Sequence, residues 1–206
     1  MSSQNFRLGL VLIVVSTVFS GTTLAQGNAE AGQGKVAVCV ACHGQSGNES
    51  LLPNVPKLGG QSASYLLKQM VEIKSGVRAA PLMNGMLNTL DDQGLADVAA
   101  YYASLPAPQG AAEAEKLAIA EPIYKAGLAS IGVAACSACH APNGKGIPEA
   151  GYPALSGQDV AYTEMQLKAF RAGERANDDA EIMRTISERL TDAEIAALAS
   201  YVSGLR

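Results

Sequence analysis

The sequence predicts an all-α protein built from two tandem copies of one small domain. The pattern Cys-x-x-Cys-His occurs at residues 39–43 and again at residues 136–140, 97 positions later. Aligning the second half on the first at this offset also matches residues well beyond the pentapeptides, which indicates an internal duplication. No stretch of any length alternates apolar and polar residues as a half-buried strand would. Each copy is therefore expected to be helical, with loops but no sheet.

The two pentapeptides carry the chemistry of the chain. Cys-x-x-Cys-His is the attachment pattern of c-type haem, in which two thiols bond to the porphyrin and the imidazole becomes an axial ligand of the iron. Cysteines three positions apart lie on roughly one face of a helical turn, so both sulfurs can reach one edge of a flat macrocycle. We therefore predict two covalently bound haem c groups. The predicted residues are Cys39, Cys42 and His43 in the first copy and Cys136, Cys139 and His140 in the second.

Two other uses of paired cysteines fit the sequence less well. A redox dithiol of the thioredoxin type belongs in a βαβ context, which this sequence, rich in Ala, Gly and Leu, lacks. A structural zinc site made from all four thiols would have to join pairs 97 residues apart and would leave both histidines unexplained. Haem attachment accounts for every cysteine and every histidine of the chain, because all six belong to the two pentapeptides.

Residues 1–25 are expected to be a signal peptide that is removed from the mature protein. Arg7 supplies a minimal positive start, residues 8–19 are mostly apolar, and residues 23–25 offer small side chains at a cleavage site. An uncleaved membrane anchor would need roughly 20 continuous apolar residues, more than this stretch has. Covalent haem attachment in bacteria takes place on the outer side of the plasma membrane. The expected location is therefore the periplasm, with a mature chain that begins at Gln26.

The charge balance argues against a nucleic acid partner. The chain has 15 Lys and Arg residues and 19 Asp and Glu residues, and removal of Arg7 leaves a formal charge of −5 before any haem propionates are counted. Such a chain has no basic excess to bind a phosphate backbone. Its partners are expected to present either a basic complement or an uncharged patch that meets an exposed cofactor edge.

The duplication sets the predicted domain boundaries. At the offset of 97, residues 56–61 match residues 153–158, and further along the chain the offset becomes 100, which places a three-residue insertion near residues 177–180. Residues 105–110 contain two prolines that cannot continue a helix, so this segment is the predicted linker. Four more positions match at the offset of 97, namely Tyr65, Gln69, Gly76 and Arg78 with Tyr162, Gln166, Gly173 and Arg175. The predicted domains are residues 26–108 and residues 109–206.

Each copy is predicted to contain three main helices. Glycine at Gly76 and Gly173 suits the residue just past the end of a helix. Thr191 and Glu194 form a capping box at the start of the last helix, and Asp91 supplies a capping side chain at the equivalent position of the first copy. The predicted first helices are residues 29–40 and 123–135, the second are residues 63–75 and 160–172, and the third begin after Leu90 and Leu190.

The second axial ligand of each iron is predicted to be a methionine. No histidine remains for this position, and a soft thioether suits iron and raises its reduction potential. Met83 and Met183 each lie seven residues before a matched leucine, and they are the methionine pair that coincides when the copies are aligned. The other candidates, Met70, Met86 and Met165, are matched by Leu167, Ile186 and Lys68. We therefore predict Met83 and Met183 as the ligands.

These residues together resemble the cytochrome c4 family over essentially all of residues 26–206. The resemblance rests on the paired Cys-x-x-Cys-His motifs, the two Pro-x-Leu-x-Gly-Gln segments and the placement of the matched methionines. It implies two class I cytochrome c domains related by a pseudo-twofold axis, with haem propionate edges facing across the interface. It also implies that the carbonyls of Pro56 and Pro153 accept a hydrogen bond from the iron-bound imidazoles. These prolines would otherwise simply shape turns.

The favoured function is electron transfer without substrate chemistry. The resemblance implies a carrier of a respiratory chain that passes electrons toward a terminal oxidase. Its expected partners are a membrane oxidase and an upstream donor, and loose peripheral association with the membrane is compatible with that role. A dihaem peroxidase would need an open or displaceable iron site and usually a much longer chain. The alternative that the sequence leaves open is the dihaem cytochrome subunit of a flavocytochrome c sulfide dehydrogenase.

Overall fold

The computed structural model of the protein describes residues 26–206, so the predicted signal peptide lies outside the described residues. Within them the regular secondary structure is helical. Strand-like pairing in residues 26–206 is limited to two isolated bridges, which join Leu128 to Val133 and Ile147 to Tyr152. The predicted all-α class is confirmed for this part of the chain.

The helices fall into two sets, one in each half of the molecule. The first half, residues 26–108, contains α1 (Ala29–Gln33), α2 (Ala37–His43), α3 (Ala63–Lys74) and α4 (Asp92–Ser104). The second half, residues 109–206, contains α5 (Leu117–Ala126), α6 (Ser137–His140), α7 (Val160–Arg171), α8 (Ile182–Ser187) and α9 (Asp192–Ser203). In the first half α4 packs on α1 and α3, and in the second half α9 packs on α5 and α7. The two halves therefore repeat one arrangement of three main helices.

The predicted caps of the later helices are present. Thr191 and Glu194 form the full capping box of α9, in which each residue's side chain accepts a hydrogen bond from the other's backbone N–H. The Asp91 side chain caps α4 by accepting from a backbone N–H three residues on, at 2.8 Å. Beyond α3 and α7 the chain turns through Gly76 and Gly173, whose φ angles of 80° and 72° favour glycine. These local signals fix where the long helices start and stop.

The first predicted helix of the first half is two helices. The sequence predicts one helix over residues 29–40, but α1 ends at Gln33 and α2 begins at Ala37. Between them the backbone N–H of Lys35 bonds to the carbonyl of Gly32, only three residues back, at 2.9 Å. This tighter turn ends α1 and redirects the chain into α2, which carries the first pentapeptide.

The prediction of a helix at residues 123–135 is wrong. Here α5 begins earlier, at Leu117, and stops at Ala126. Gly127 follows with a φ of 72°, and a Cβ at this position would lie 2.3 Å from the carbonyl oxygen of Val133. The chain folds back on itself at this glycine, so the helix cannot continue into the pentapeptide. The first helix of the second half is therefore placed further from its pentapeptide than that of the first half.

Each half has its own apolar core beside its last helix. In the first half the buried core consists of Val36, Leu66, Val98, Ala99 and Tyr102. In the second half it consists of Ala120, Ile123, Tyr124, Val133, Leu190, Ile195, Ala197, Leu198, Tyr201 and Val202. Both α4 and α9 supply residues at helical spacing to these cores, so one face of each helix is buried by apolar packing.

None of the helices in residues 26–206 is long and apolar enough to cross a membrane.

The two halves pack against each other through the segments that follow the pentapeptides. The side-chain amide of Gln61 donates to the carbonyl of Ala154 at 2.9 Å and accepts from the N–H of Ala154 at 3.0 Å. The same pair of bonds forms in the opposite direction, from Gln158 to Lys57. Since 61 matches 158 and 57 matches 154 in the duplication, the interface is self-complementary, as a pseudo-twofold axis requires.

Candidate haem sites

Both Cys-x-x-Cys-His motifs lie where a short helix ends at its histidine. In the first half α2 carries Cys39 and Cys42 and ends at His43. In the second half α6 begins directly after Cys136 and ends at His140. The four cysteines of the two motifs are free rather than disulfide-bonded, and each is half-buried. Each motif thus keeps two thiols available next to a histidine that is itself buried.

The two histidines are held in the same way by a proline carbonyl thirteen residues further along. Nδ1 of His43 lies 2.8 Å from the carbonyl oxygen of Pro56, and Nδ1 of His140 lies 2.9 Å from that of Pro153. A carbonyl can only accept, so Nδ1 carries the proton and donates it. The hydrogen bonds predicted from the family resemblance are confirmed by this geometry.

This hydrogen bond leaves the other ring nitrogen available as a metal ligand. Burial lowers the pKa of both His43 and His140, and the bond to the proline carbonyl offsets that effect only in part. Each ring is therefore neutral near pH 7, with an unprotonated Nε2 whose lone pair can bind a metal. Among the described residues, Nε2 of neither ring is hydrogen-bonded. An oriented, neutral imidazole is what an iron site needs on one side.

The structure places the predicted methionine ligands in the segment before the last helix of each half. Met83 ends a short 3-10 turn at Pro81–Met83, and Met183 lies in the first turn of α8. Both side chains are half-buried. Met86, the other methionine of the same loop, is 46% exposed. The relative burial therefore favours Met83 over Met86 as the residue that faces an interior site.

A pair of packed tyrosines lies beside each motif, but the two pairs are built from different helices. In the first half Tyr101 and Tyr102, both on α4, have ring centroids 5.3 Å apart. In the second half Tyr201 of α9 pairs with Tyr124 of α5, at 5.2 Å. Tyr101 and Tyr201 match in the duplication, whereas Tyr102 and Tyr124 do not. In each half a second tyrosine therefore packs on the matched one, and it comes from α4 in the first half and from α5 in the second.

The hydroxyls of these unmatched tyrosines approach the two sites. The Tyr102 hydroxyl is buried without a hydrogen-bond partner among the described residues. Burial raises its pKa, and the neighbouring Cys39 thiol adds to the effect. The Tyr124 hydroxyl donates to the carbonyl of Ala141, directly after His140, at 2.6 Å. The sequence alone does not single out either tyrosine, because the position of its hydroxyl depends on contacts between distant segments.

The residues present fit a covalently attached haem. In each half two free thiols stand beside a neutral imidazole with an unused Nε2, which is the donor set that c-type haem requires. One buried hydroxyl in each half, that of Tyr102 in the first and that of Ser187 in the second, has no partner within residues 26–206. Ser187 is fully buried and lies one helical turn beyond Met183 on α8. Unpaired buried polar groups are rare in native proteins and are expected to bind a group from outside the polypeptide.

No group of three or more His, Cys, Asp or Glu side chains within residues 26–206 is placed to hold a metal ion. The two cysteine pairs lie in separate halves, each in its own motif. Fold and site geometry together define a c-type cytochrome with one haem site in each half.

Comparison with known proteins agrees with this class and narrows it. The family model described as cytochrome c matches residues 29–106 and again residues 124–206. Cytochrome c4 of Pseudomonas aeruginosa is 47% identical over 197 residues, which cover 95% of this chain and 98% of that protein. A crystal structure of reduced recombinant cytochrome c4 from Pseudomonas stutzeri matches with a TM-score of 0.85 and 48% identity, over 87% of this chain and all of that one.

A more distant relative is named for a specific partner. The thiosulfate dehydrogenase electron acceptor of Thiomonas intermedia is 35% identical over 178 residues, which cover 82% of this chain and 79% of that protein.

The chain belongs to the cytochrome c4 family. It is a dihaem c-type electron carrier of two tandem cytochrome c domains with two covalently attached haem c groups.

Proposed function

We propose that the chain is a periplasmic electron carrier of a respiratory chain that passes electrons toward a terminal oxidase. The observation that carries this proposal is the presence of two equivalent sites, each with a buried neutral imidazole, joined by a self-complementary interface. Two such sites in one molecule can hold two electrons close together. The predicted signal peptide supports the periplasmic location.

We assign the haem-binding residues as the sequence predicts them. The thiols of Cys39 and Cys42, and of Cys136 and Cys139, form the thioether bonds. His43 and Met83 would hold the iron in the first half, and His140 and Met183 would hold it in the second. When bound, each haem supplies reversible one-electron chemistry at its iron. The proline carbonyl orients each histidine, so the imidazole would be held in position to bind the iron.

A methionine on the second axial position supports a carrier rather than an enzyme. If a histidine and a methionine both bound each iron, no coordination position would be left for a substrate or a peroxide. The surrounding residues then have three tasks, which are to exclude water, to set the reduction potential and to leave one haem edge accessible. The half-buried side chains of Met83 and Met183 suit these tasks.

The second candidate is an electron-accepting subunit for an enzyme that oxidises sulfur compounds. The sequence leaves open the cytochrome subunit of a flavocytochrome c sulfide dehydrogenase, and one relative is named as the electron acceptor of a thiosulfate dehydrogenase. In either case the chain would still carry electrons, but its donor would be a specific dehydrogenase.

Purification of the haem-loaded protein from its own cells distinguishes the two candidates. We expect two haems per chain, no flavin in the purified material, and rapid oxidation of the reduced protein by membranes that contain the terminal oxidases. Co-purification of a flavoprotein would favour the sulfide dehydrogenase subunit. Reduction by a thiosulfate dehydrogenase with no oxidation by the membranes would favour the dedicated acceptor.

A further inference from the structure

Ser187 brings a hydroxyl into the interior of the second half and leaves it without a hydrogen-bond partner. The residue is 0% exposed, and its Oγ bonds to no other group within residues 26–206. Ser200 is also 0% exposed, but its hydroxyl accepts from the backbone N–H of Glu113 at 2.9 Å. A buried hydroxyl that bonds to nothing is costly, so Ser187 needs an acceptor that this arrangement of the chain does not supply.

The backbone of its own helix does not take the hydroxyl proton. A serine or threonine inside a helix commonly donates to the carbonyl one turn earlier, as Thr163 of α7 does to Asp159 at 2.8 Å. Ser187 makes no such bond. The carbonyl of Arg184, three residues back, accepts instead from the N–H of Glu188 at 2.9 Å. The hydroxyl proton of Ser187 is therefore available to a group beside the helix.

The side chain on the same face of α8 is that of Met183. Residues four positions apart on a helix share one face, with their Cβ atoms about 5–6 Å apart. Because Cα–Cβ bonds tilt toward the start of a helix, the side chain of Ser187 leans toward the turn that carries Met183. Arg184 also lies one turn back, but it has only donors and binds Asp178 at 2.7 Å. The thioether sulfur of Met183 is an acceptor, and Ser187 is a donor.

The equivalent position of the first half is apolar. Ser187 matches Leu87 at the offset of 100, and Leu87 is likewise buried, at 3% exposed. The local backbone is the same, since Leu90 bonds to the carbonyl of Leu87 and Leu190 to that of Ser187, both at 3.1 Å. A position that only fills space suits an apolar residue, as Leu87 shows. A serine there indicates a polar role that is confined to the second half.

We propose that the Ser187 hydroxyl donates a hydrogen bond to the thioether sulfur of Met183 when that methionine is bound to iron. The inference rests on the proposed assignment of Met183 as an axial ligand. The thioether is fixed in place only when it binds the iron, so the partner that Ser187 lacks within the polypeptide arises only with the haem. A sulfur that accepts a hydrogen bond gives less electron density to the metal, which favours the reduced iron. Ser187 is thus a positioning residue that raises the reduction potential of the second haem.

The test is a redox titration of the haem-loaded full chain with Ser187→Ala, which removes a single oxygen atom. At a fixed potential the ratio of reduced to oxidised second haem is expected to fall about threefold, the effect of a weak hydrogen bond, while the first haem stays unchanged. Thr185→Val is the matched control, because it removes an exposed hydroxyl from the same helix and should shift neither haem. An unchanged second haem in Ser187→Ala, or equal shifts at both haems, would contradict the proposal.

Spectroscopy of the same samples shows which atom the hydroxyl acts on. In Ser187→Ala the methionine-to-iron charge-transfer absorption of the second haem and the proton resonance of the Met183 methyl group should both shift. The corresponding signals of Met83 should stay where they are. If the potential of the second haem fell while the Met183 signals did not move, the hydroxyl would act on another part of the haem, and its assignment to the thioether would be wrong.

Stability gives an independent measurement. If the hydroxyl stayed without a partner in the haem-loaded protein, Ser187→Ala would raise the free energy of unfolding, because it would remove a buried unsatisfied group. The proposal expects this free energy to fall, and a rise would overturn it.

Met183→Ala keeps the ligand assignment separate from the hydrogen bond. If this variant retains the charge-transfer absorption of the second haem, Met183 is not the ligand, and the proposed assignment fails together with the hydrogen bond. If it loses the absorption while Ser187→Ala leaves the second haem unchanged, the ligand assignment stands and only the hydrogen bond is excluded.

Discussion

The side-chain amide of Gln158 binds both backbone groups of Lys57 in the other half of the molecule. Its Oε1 accepts from the Lys57 N–H at 2.8 Å, and its Nε2 donates to the Lys57 carbonyl at 2.9 Å. Gln61 binds Ala154 in the same manner. Both glutamines bond to backbone groups and not to side chains. Lysine and alanine can therefore occupy the equivalent positions 57 and 154 without breaking the symmetry. Each glutamine is more than nine-tenths buried.

Replacement of either glutamine should weaken the intact molecule. Gln158→Ala leaves the N–H and carbonyl of Lys57 without partners in a buried interface, which is expected to lower the free energy of unfolding by about 1–3 kcal/mol. By symmetry Gln61→Ala should have a similar effect. Chemical denaturation of the haem-loaded protein measures both. Gln45→Ala, at an exposed position, is the matched control, and equal stability of all three variants would contradict the interface described above.

The contact between α1 and α4 depends on a glycine. A Cβ at Gly32 would lie 2.1 Å from the carbonyl oxygen of Asp97 and 2.8 Å from Cβ of Tyr101, so the helices could not keep their present separation. Gly32→Ala is expected to destabilise the first half by about 1–3 kcal/mol, as overpacking does. Gly34→Ala is the control, because its nearest neighbour would be the Ala31 carbonyl at 3.7 Å. If both variants had the melting temperature of the unaltered protein, the close contact between α1 and α4 at Gly32 would be contradicted.

Much of the site and of the fold follows from local sequence patterns. The pentapeptides identify the haem sites because covalent attachment needs fixed residue types at fixed spacing. The capping box at Thr191 and the glycines after α3 and α7 mark helix ends because each acts within one turn. Alignment of the copies singles out Met83 and Met183 as predicted ligands.

Local sequence patterns do not predict the contacts between segments that are distant along the chain. The duplication shows that Arg78 and Arg175 are equivalent, but not that each donates across the interface to the other half. Lys68 matches Met165 in the duplication, and nothing in that alignment shows that its ammonium donates to the carbonyl of Asn177 at 2.8 Å across the interface. The predicted helix at residues 123–135 fails for a related reason, since the backbone of Val133 returns to Gly127 and leaves no room for a continued helix.

Asp97 links stability of the first half to pH. Its carboxylate accepts from the Lys35 ammonium, from the backbone N–H of Asn28 at 2.8 Å and from the Gln93 amide at 2.8 Å. These donors, with Lys35 contributing most, hold the pKa of Asp97 at about 2, below its ordinary value of 3.8. A depressed folded-state pKa gives stabilisation that is complete above the unfolded pKa and is lost as the pH falls through the folded pKa.

Asp97→Asn should therefore be less stable than the unaltered protein at pH 7, and the difference should shrink to well under half by about pH 2. Denaturant titrations at several pH values between 2 and 7 measure this. Asp92→Asn removes the same charge from an exposed position of the same helix and should show a smaller difference at pH 7. If the difference in the free energy of unfolding between Asp97→Asn and the unaltered protein stayed constant down to pH 2, the Asp97 carboxylate would not be its source.

The assignment of the second axial ligands gives the most direct spectroscopic prediction. Met83→Ala and Met183→Ala should each open one iron, because loss of the thioether leaves a coordination position that water or carbon monoxide can take. The methionine-to-iron charge-transfer absorption should fall by about half in each variant, and carbon monoxide should bind one haem of the two. Met86→Ala and Met165→Ala are the controls and should retain the full absorption. If Met83→Ala retained it while Met86→Ala lost it, Met86 would be the ligand of the first half, and its exposed position would have to change when haem binds.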